Sequence, residues 1–116
     1  MFEEGYYKNY YKADLLNNKL DKHWWSNYYY FRIIRKYYRR RNGNLLEIRC
    51  GLGGLLKWFE KYFYTHGIEI SEYAFNIAKK LCTGTNLLLF DVQEGLRDRF
   101  PYISFDVILA RHVWNT

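Results

Sequence analysis

Residues 44–54 join a short apolar strand to a glycine turn: Asn44-Leu45-Leu46-Glu47-Ile48-Arg49-Cys50-Gly51-Leu52-Gly53-Gly54. The glycines at positions 51 and 53 allow a sharp turn and a close approach of the backbone to a ligand. A helix is predicted to follow from near Leu55, and its unpartnered N–H groups point toward the same turn. Glu47 is a carboxylate in an apolar strand. It needs hydrogen-bond donors there, which indicates a role beyond packing.

Strands and helices alternate after this turn, a pattern typical of a parallel α/β sheet. Strands are predicted at residues 44–49, 66–70, 86–90 and 104–110, because strands buried on both faces read as continuous apolar runs. Helices are predicted at residues 54–64 and after Ser71, a capping residue. The side chains of this last helix that are expected to face the core are Ala74, Ile77, Ala78 and Leu81.

The first 43 residues are rich in tyrosine and predict helices over 1–20 and 22–41. The second helix carries an apolar stripe that is expected to lie on a core or on a partner. Its members recur every four residues and are Trp25, Tyr29, Ile33 and Tyr37, with Tyr30, Ile34 and Tyr38 on the adjoining line. Arg39, Arg40 and Arg41 stand where a helix C-terminus favours cations, and Asn42-Gly43 is expected to end the helix.

The net charge of +6 belongs to the N-terminal part of the chain. Residues 1–44 carry ten Lys and Arg against four Asp and Glu, whereas residues 45–116 carry eight of each. Such a surface suits an anionic partner, either a phospholipid surface or a nucleic acid whose bases stack on the tyrosines. The alternative is a basic helix face that is simply solvated.

Composition indicates one folded domain. The chain has 116 residues, 49% of them hydrophobic and 26% charged, which is typical of a globular protein and not of a disordered one. Neither an apolar run long enough for a membrane span nor a secretory leader is found. Cys50 and Cys82 have no framework spacing and no metal-type partners, so we expect reduced thiols in a cytoplasmic protein and no metal site.

The segment Glu47–Gly53 resembles motif I of the class I S-adenosylmethionine-dependent methyltransferases, which reads (Glu/Asp)-x-Gly-x-Gly-x-Gly. Arg49 stands where that motif has its first glycine. Three later segments match the family in order and spacing. Glu69 lies 18 residues after Gly51, Asp91 and Val92 follow the third predicted strand, and Phe105–Val113 resembles the fourth-strand segment.

This resemblance implies an α/β, Rossmann-like three-layer sandwich with a parallel sheet in the order 3-2-1-4. Residues 1–43 would form a helical lid segment, and residues 44–116 an incomplete domain that binds S-adenosylmethionine. It also implies that Glu47 and the glycine turn bind the methionine end of the cofactor, that Glu69 binds the ribose, and that Asp91 binds the adenine. The implied cofactor-binding residues are Glu47, Arg49, Cys50, Gly51, Gly53, Glu69, Ile70, Asp91, Val92 and Ala110.

The implied activity is transfer of a methyl group from S-adenosylmethionine to an unknown acceptor. No catalytic residue is assigned, and His112 is open as either a general base or a packing histidine. The family continues through three more strands, so this chain is expected to be its cofactor half, with an open strand edge that favours self-association. Arg49 and the short chain favour an alternative, a non-catalytic interaction or regulatory domain. A nucleic-acid-binding module built on the basic N-terminus is a third possibility.

Overall fold

The computed structural model describes residues 24–91, 93, 95, 99, 100 and 103–110. The helix predicted over 1–20, Val92 and His112 lie outside these residues. The described elements are α1 (Trp24–Tyr37), β1 (Gly43–Ile48), α2 (Gly54–Phe59), β2 (Phe63–Glu69), α3 (Glu72–Leu81), β3 (Thr85–Leu89) and β4 (Val107–Ala110). None of the described helices has the length and apolar character needed to cross a membrane.

The four strands form one parallel sheet in the order β3-β2-β1-β4, which confirms the predicted topology. β1 lies in the interior of the sheet and pairs with β2 on one side and with β4 on the other. Asp106, a polar residue in the run predicted as the fourth strand, aligns β4 with β1. Its backbone N–H donates to the Asn44 carbonyl, and its carboxylate accepts from the Asn44 N–H, each at 2.8 Å.

One face of the sheet carries the helices. Leu45 of β1 and Phe63 of β2 point to this side and pack against Leu55, Leu56 and Phe59 of the α2 region. Tyr30, Phe31 and Ile34 add α1 to the same core, so the described part of the predicted lid segment packs beside α2. Aromatic contacts join α1 to α2 in this core, with the ring centroids of Phe31 and Phe59 5.2 Å apart.

The other face is covered by side chains from the part of the chain between β3 and β4. Phe100, Ile103 and Phe105 pack over Leu46 and Ile68, which point to this side of the sheet. His66 lies among them and is almost completely buried. Its Nε2 is 3.2 Å from Asn44 Oδ1, and its Nδ1 is 3.3 Å from the side-chain Nδ2 of Asn86. Burial lowers the pKa of this histidine.

Part of the stripe predicted on α1 faces away from the core. Tyr29 and Tyr37 are 62% and 79% exposed, whereas Tyr30 and Ile34 on the adjoining line are partly buried against the core. Both lines are aromatic or aliphatic, so helical periodicity alone did not separate them. α1 also ends at Tyr37 instead of residue 41, which leaves the three arginines at 39–41 in the connection to β1.

The helix predicted over 54–64 is wrong in its second half. α2 ends at Phe59, and Phe63 begins β2 by pairing with Gly43. Tyr62 and Phe63 fit a helical apolar face and a buried strand equally well, so periodicity did not mark the boundary. The predicted cap of α3 is confirmed, because the Ser71 hydroxyl accepts the Ala74 N–H at 3.3 Å. β4 begins at Val107, three residues later than predicted.

Candidate functional site

The predicted site residues lie at the carboxyl ends of the strands. Arg49 and Cys50 follow β1, Ile70 follows β2, Asp91 lies just beyond β3, and Ala110 is the last residue of β4. In a parallel sheet these ends form one edge. Chain order reverses between β1 and β4, and a crevice for a ligand is expected at such a point.

The predicted glycine turn is present, and it has an unusual backbone. Arg49, Gly51 and Gly53 all have positive φ, at 58°, 61° and 86°. Glycine adopts this left-handed conformation without steric cost, whereas a residue with a side chain pays about 1–2 kcal/mol. The backbone therefore gives a direct reason for a glycine at position 49.

Gly53 is also required by packing. A Cβ at this position would lie 2.6 Å from Cys82 Sγ and 3.2 Å from the Ala78 Cβ, both at the end of α3. The Cys82 thiol donates to the Gly53 carbonyl at 3.1 Å, and the Gly53 N–H donates to the Cys50 carbonyl at 3.1 Å. The turn is thus fixed from one side by α3.

Glu69 fixes the turn from the other side. Its side chain is completely buried, and Oε1 accepts the Gly51 N–H at 2.8 Å. Oε2 accepts the N–H groups of Ile70 and Ser71 at 3.1 and 2.9 Å. A carboxylate offers about four acceptor positions, and three are used by these donors. The resemblance implies that Glu69 holds the ribose of the cofactor. In the structure its carboxylate also ties the glycine turn to the end of β2.

Glu47 and Cys50 lie beneath the turn. The Glu47 side chain is 1% exposed. Burial raises the pKa of Cys50 well above its usual value, and the carboxylates of Glu47 and Glu69 raise it further. Burial, with a contribution from Glu60, raises the pKa of Cys82 to about 12. Both cysteines are free and buried, so they are neutral thiols.

The outer residues of the site are more accessible. Asp91 is half-buried, and its Oδ1 accepts the Gln93 N–H at 2.9 Å, which makes an Asx turn after β3. Ile70 and Ala110 are exposed. α2 has six residues, so the helix dipole at the turn is small. Within the described residues, no three His, Cys, Asp or Glu side chains lie together in a way that would hold a metal ion.

A family model described as a methyltransferase domain matches residues 46–116. Phosphoethanolamine N-methyltransferase of Plasmodium falciparum is 38% identical over 72 residues, which cover 60% of this chain and 27% of that protein. The YcgJ protein of Bacillus subtilis superposes with a TM-score of 0.61 at 21% identity, over 73% of this chain and 38% of that one. The plantazolicin methyltransferase BpumL in complex with SAH gives 0.58 at 25% identity, over 73% and 33%.

The chain spans about a quarter of the length of the curated relative that it matches, and between a third and two fifths of these two structures. The family match covers more than half of the chain and includes the glycine turn, Glu69 and Asp91. This chain therefore belongs to the methyltransferase domain family.

Proposed function

We propose that this chain binds S-adenosylmethionine at the carboxyl edge of its sheet and forms the cofactor-binding part of a methyltransferase. The observation that carries the proposal is the left-handed glycine turn held by the Glu69 carboxylate at the point where strand order reverses. Two structures similar to this chain support it. BpumL is in complex with SAH, and the amino pentose methyltransferase CalS10 is SAM bound.

The residues at this edge fit such a cofactor. Glu47 and Glu69 are buried acidic side chains beside the turn, and their oxygens are hydrogen-bond acceptors that suit the ammonium and hydroxyl groups of such a cofactor. The exposed Ile70 side chain offers apolar surface for an adenine ring. We assign the methionine end to the backbone of Gly51–Gly53, the ribose to Glu69, and the adenine to Ile70, Asp91 and Val92. Ala110 would then lie on the side of the transferred methyl group.

When bound, the cofactor supplies a methyl group made electrophilic by positive sulfur, and an acceptor atom attacks it in one displacement. The chain needs no nucleophile of its own for this reaction. Its part is to hold the cofactor in one orientation on a preformed turn and to exclude water. Most of the rate gain in such a reaction comes from this positioning. The two free cysteines support a reducing compartment such as the cytoplasm.

Calorimetric titration of the whole chain with S-adenosylmethionine and with SAH tests the proposal. We expect saturable one-to-one binding. In Glu69→Ala we expect affinity at least tenfold lower, about 1.4 kcal/mol, because the turn loses its tie to β2. Glu72→Ala is the matched control, since it removes the same charge from an exposed site three residues away. Absence of binding by the parent chain would refute the proposal. Equal losses in both variants would refute the assignment of Glu69.

Arg49 favours a second candidate function, a methyltransferase-like domain that serves as a non-catalytic interaction or regulatory partner. It adds a fixed positive charge at the turn, at a position where the family motif has glycine. If the chain serves this second function, it should fold and bind neither S-adenosylmethionine nor SAH. The same titrations therefore distinguish the two.

A further inference from the structure

The whole net charge of this protein lies in ten residues, 32–41, which we call the basic segment. It contains Arg32, Arg35, Lys36, Arg39, Arg40 and Arg41 and no acidic residue. The remaining 12 Lys and Arg residues balance the 12 Asp and Glu residues of the chain. A charge confined in this way creates a strong local potential on an otherwise neutral molecule.

The basic segment lies at the end of the molecule opposite to the proposed cofactor site. It comprises the last turns of α1 and the connection to the amino end of β1. The Asn42 N–H donates to the Tyr62 carbonyl at 2.9 Å, which holds the connection against the turn that precedes β2. β1 has six residues, so roughly 20 Å of strand separates this edge from the glycine turn. Charge here does not serve the methyl-transfer edge.

Arg32, Arg35 and Arg41 contact tyrosine side chains and no described carboxylate. The Arg35 and Arg41 guanidinium groups lie 4.3 and 4.9 Å from the centroid of the Tyr62 ring. Arg32 donates to the Tyr28 hydroxyl at 2.8 Å. None of the six cations forms an ion pair with another described residue. Cation–π contacts of this kind orient a guanidinium and leave its charge available to a ligand.

Open aromatic rings accompany these cations. Tyr37 follows Lys36 and is the most exposed of the large hydrophobic side chains among the described residues, with the Lys36 ammonium 5.6 Å from its ring. Tyr29 lies two helical turns earlier, on the same side of α1, and is also exposed. Ile33 and Ile34, the aliphatic residues of the basic segment, are half-buried.

We propose that the basic segment binds single-stranded nucleic acid, with phosphates held by the arginines and bases stacked on Tyr37 and Tyr29. Five of the six cations are arginine, whose planar fork matches phosphate oxygens. Exposed rings next to cations are the elements of a single-strand surface. An anionic membrane would also attract the charge, but the segment offers no exposed aliphatic side chain for insertion. This activity is additional to the proposed methyl transfer.

Fluorescence anisotropy with a labelled 12-nucleotide oligouridylate tests the proposal on the whole chain. We expect binding that weakens steeply from 50 to 200 mM salt. In the double variant Arg39→Gln/Arg40→Gln, the slope of log K against log salt should fall by about 1.4, since each lost phosphate contact removes about 0.7. Lys79→Gln/Lys80→Gln is the matched control, because it removes the same charge from exposed positions of α3 and should leave the slope nearly unchanged.

Stacking has its own test. Tyr37→Ala should weaken binding about tenfold at constant salt slope, and Tyr37→Phe should restore it, because the ring and not the hydroxyl is used. Equal effects of the two double variants would refute a localised site. So would binding to vesicles of phosphatidylcholine and phosphatidylserine, three to one, at concentrations where the oligonucleotide is not bound. Full binding by Tyr37→Ala would refute the assigned stacking surface.

Discussion

Replacing Arg49 by glycine should stabilise the protein, because Arg49 is held at a φ of 58°. The left-handed conformation costs a non-glycine residue about 1–2 kcal/mol. Glycine loses more conformational freedom on folding than arginine, which offsets roughly 0.5–1 kcal/mol of the stability gained by relieving the left-handed conformation. The net expectation is about 0.5–1 kcal/mol. For a domain of this size that corresponds to a rise in Tm of roughly 2–8 °C.

Arg49→Ala is the control that isolates the backbone. Alanine and glycine both remove the guanidinium and its contacts, so the difference between their Tm values reports the cost of the left-handed φ less the greater freedom that glycine loses on folding. Thermal unfolding followed by circular dichroism should therefore rank Arg49→Gly above Arg49→Ala. Asn42→Gly changes a second residue of positive φ, 67°, and should give a smaller gain because asparagine tolerates this conformation. Equal Tm values for Arg49→Gly and Arg49→Ala would refute the backbone argument.

Affinity is a separate readout of the same variants. Arg49→Gly removes a positive charge from the edge where a cationic cofactor is proposed to bind, so it should bind S-adenosylmethionine more tightly than the parent, whereas Arg49→Lys should not. If Arg49→Gly gains stability and loses affinity, the arginine takes part in binding, and the charge argument is wrong while the backbone argument stands.

Three further predictions concern the sheet. His66 has a lowered pKa, so its contribution to the free energy of unfolding should be complete above about pH 6.5 and lost as pH falls through the folded pKa. Urea unfolding of His66→Gln should lack this loss. Equal pH slopes of the unfolding free energy in the parent and the variant would contradict the prediction. Gly67→Ala should destabilise by about 1–3 kcal/mol, because its Cβ would lie 2.7 Å from Leu56 Cδ1, whereas Gly84→Ala, with the nearest atom at 3.3 Å, should cost less in the same assay. The β4 edge, with Ile108 54% exposed, should favour dimers in sedimentation at tens of micromolar; Ile108→Lys should shift the chain to monomer, and a monomeric parent would contradict this.

The sheet was predictable because its signals are local. Each strand is a short apolar run, and each turn is marked by glycine or by a strand-end acid. The spacing of these marks resembles that of the methyltransferase family, and the strand order 3-2-1-4 was taken from that resemblance. Ser71 was recognised as a cap for the same reason, since capping depends on one hydroxyl and the next three residues. The glycine turn was located correctly from Gly51 and Gly53.

Features that depend on residues distant in sequence were not predictable. The three N–H donors to Glu69 come together only when the β1 turn meets the end of β2, 18 residues later. His66 gave no signal, because its partners Asn44 and Asn86 lie on two different strands. The buried side of α1 was misjudged since neighbouring helical lines are equally apolar. Its correct orientation is set by Phe59 and Trp58, which belong to another helix.

Cys50 has a consequence for the chemistry proposed at this edge. A sulfonium methyl donor alkylates any good nucleophile within reach, and a thiolate is among the best of these in proteins. Burial, with Glu47 and Glu69 close by, keeps the Cys50 thiol protonated. A protonated thiol is a poor nucleophile. The burial of Cys50 therefore protects the protein from methylating its own glycine turn.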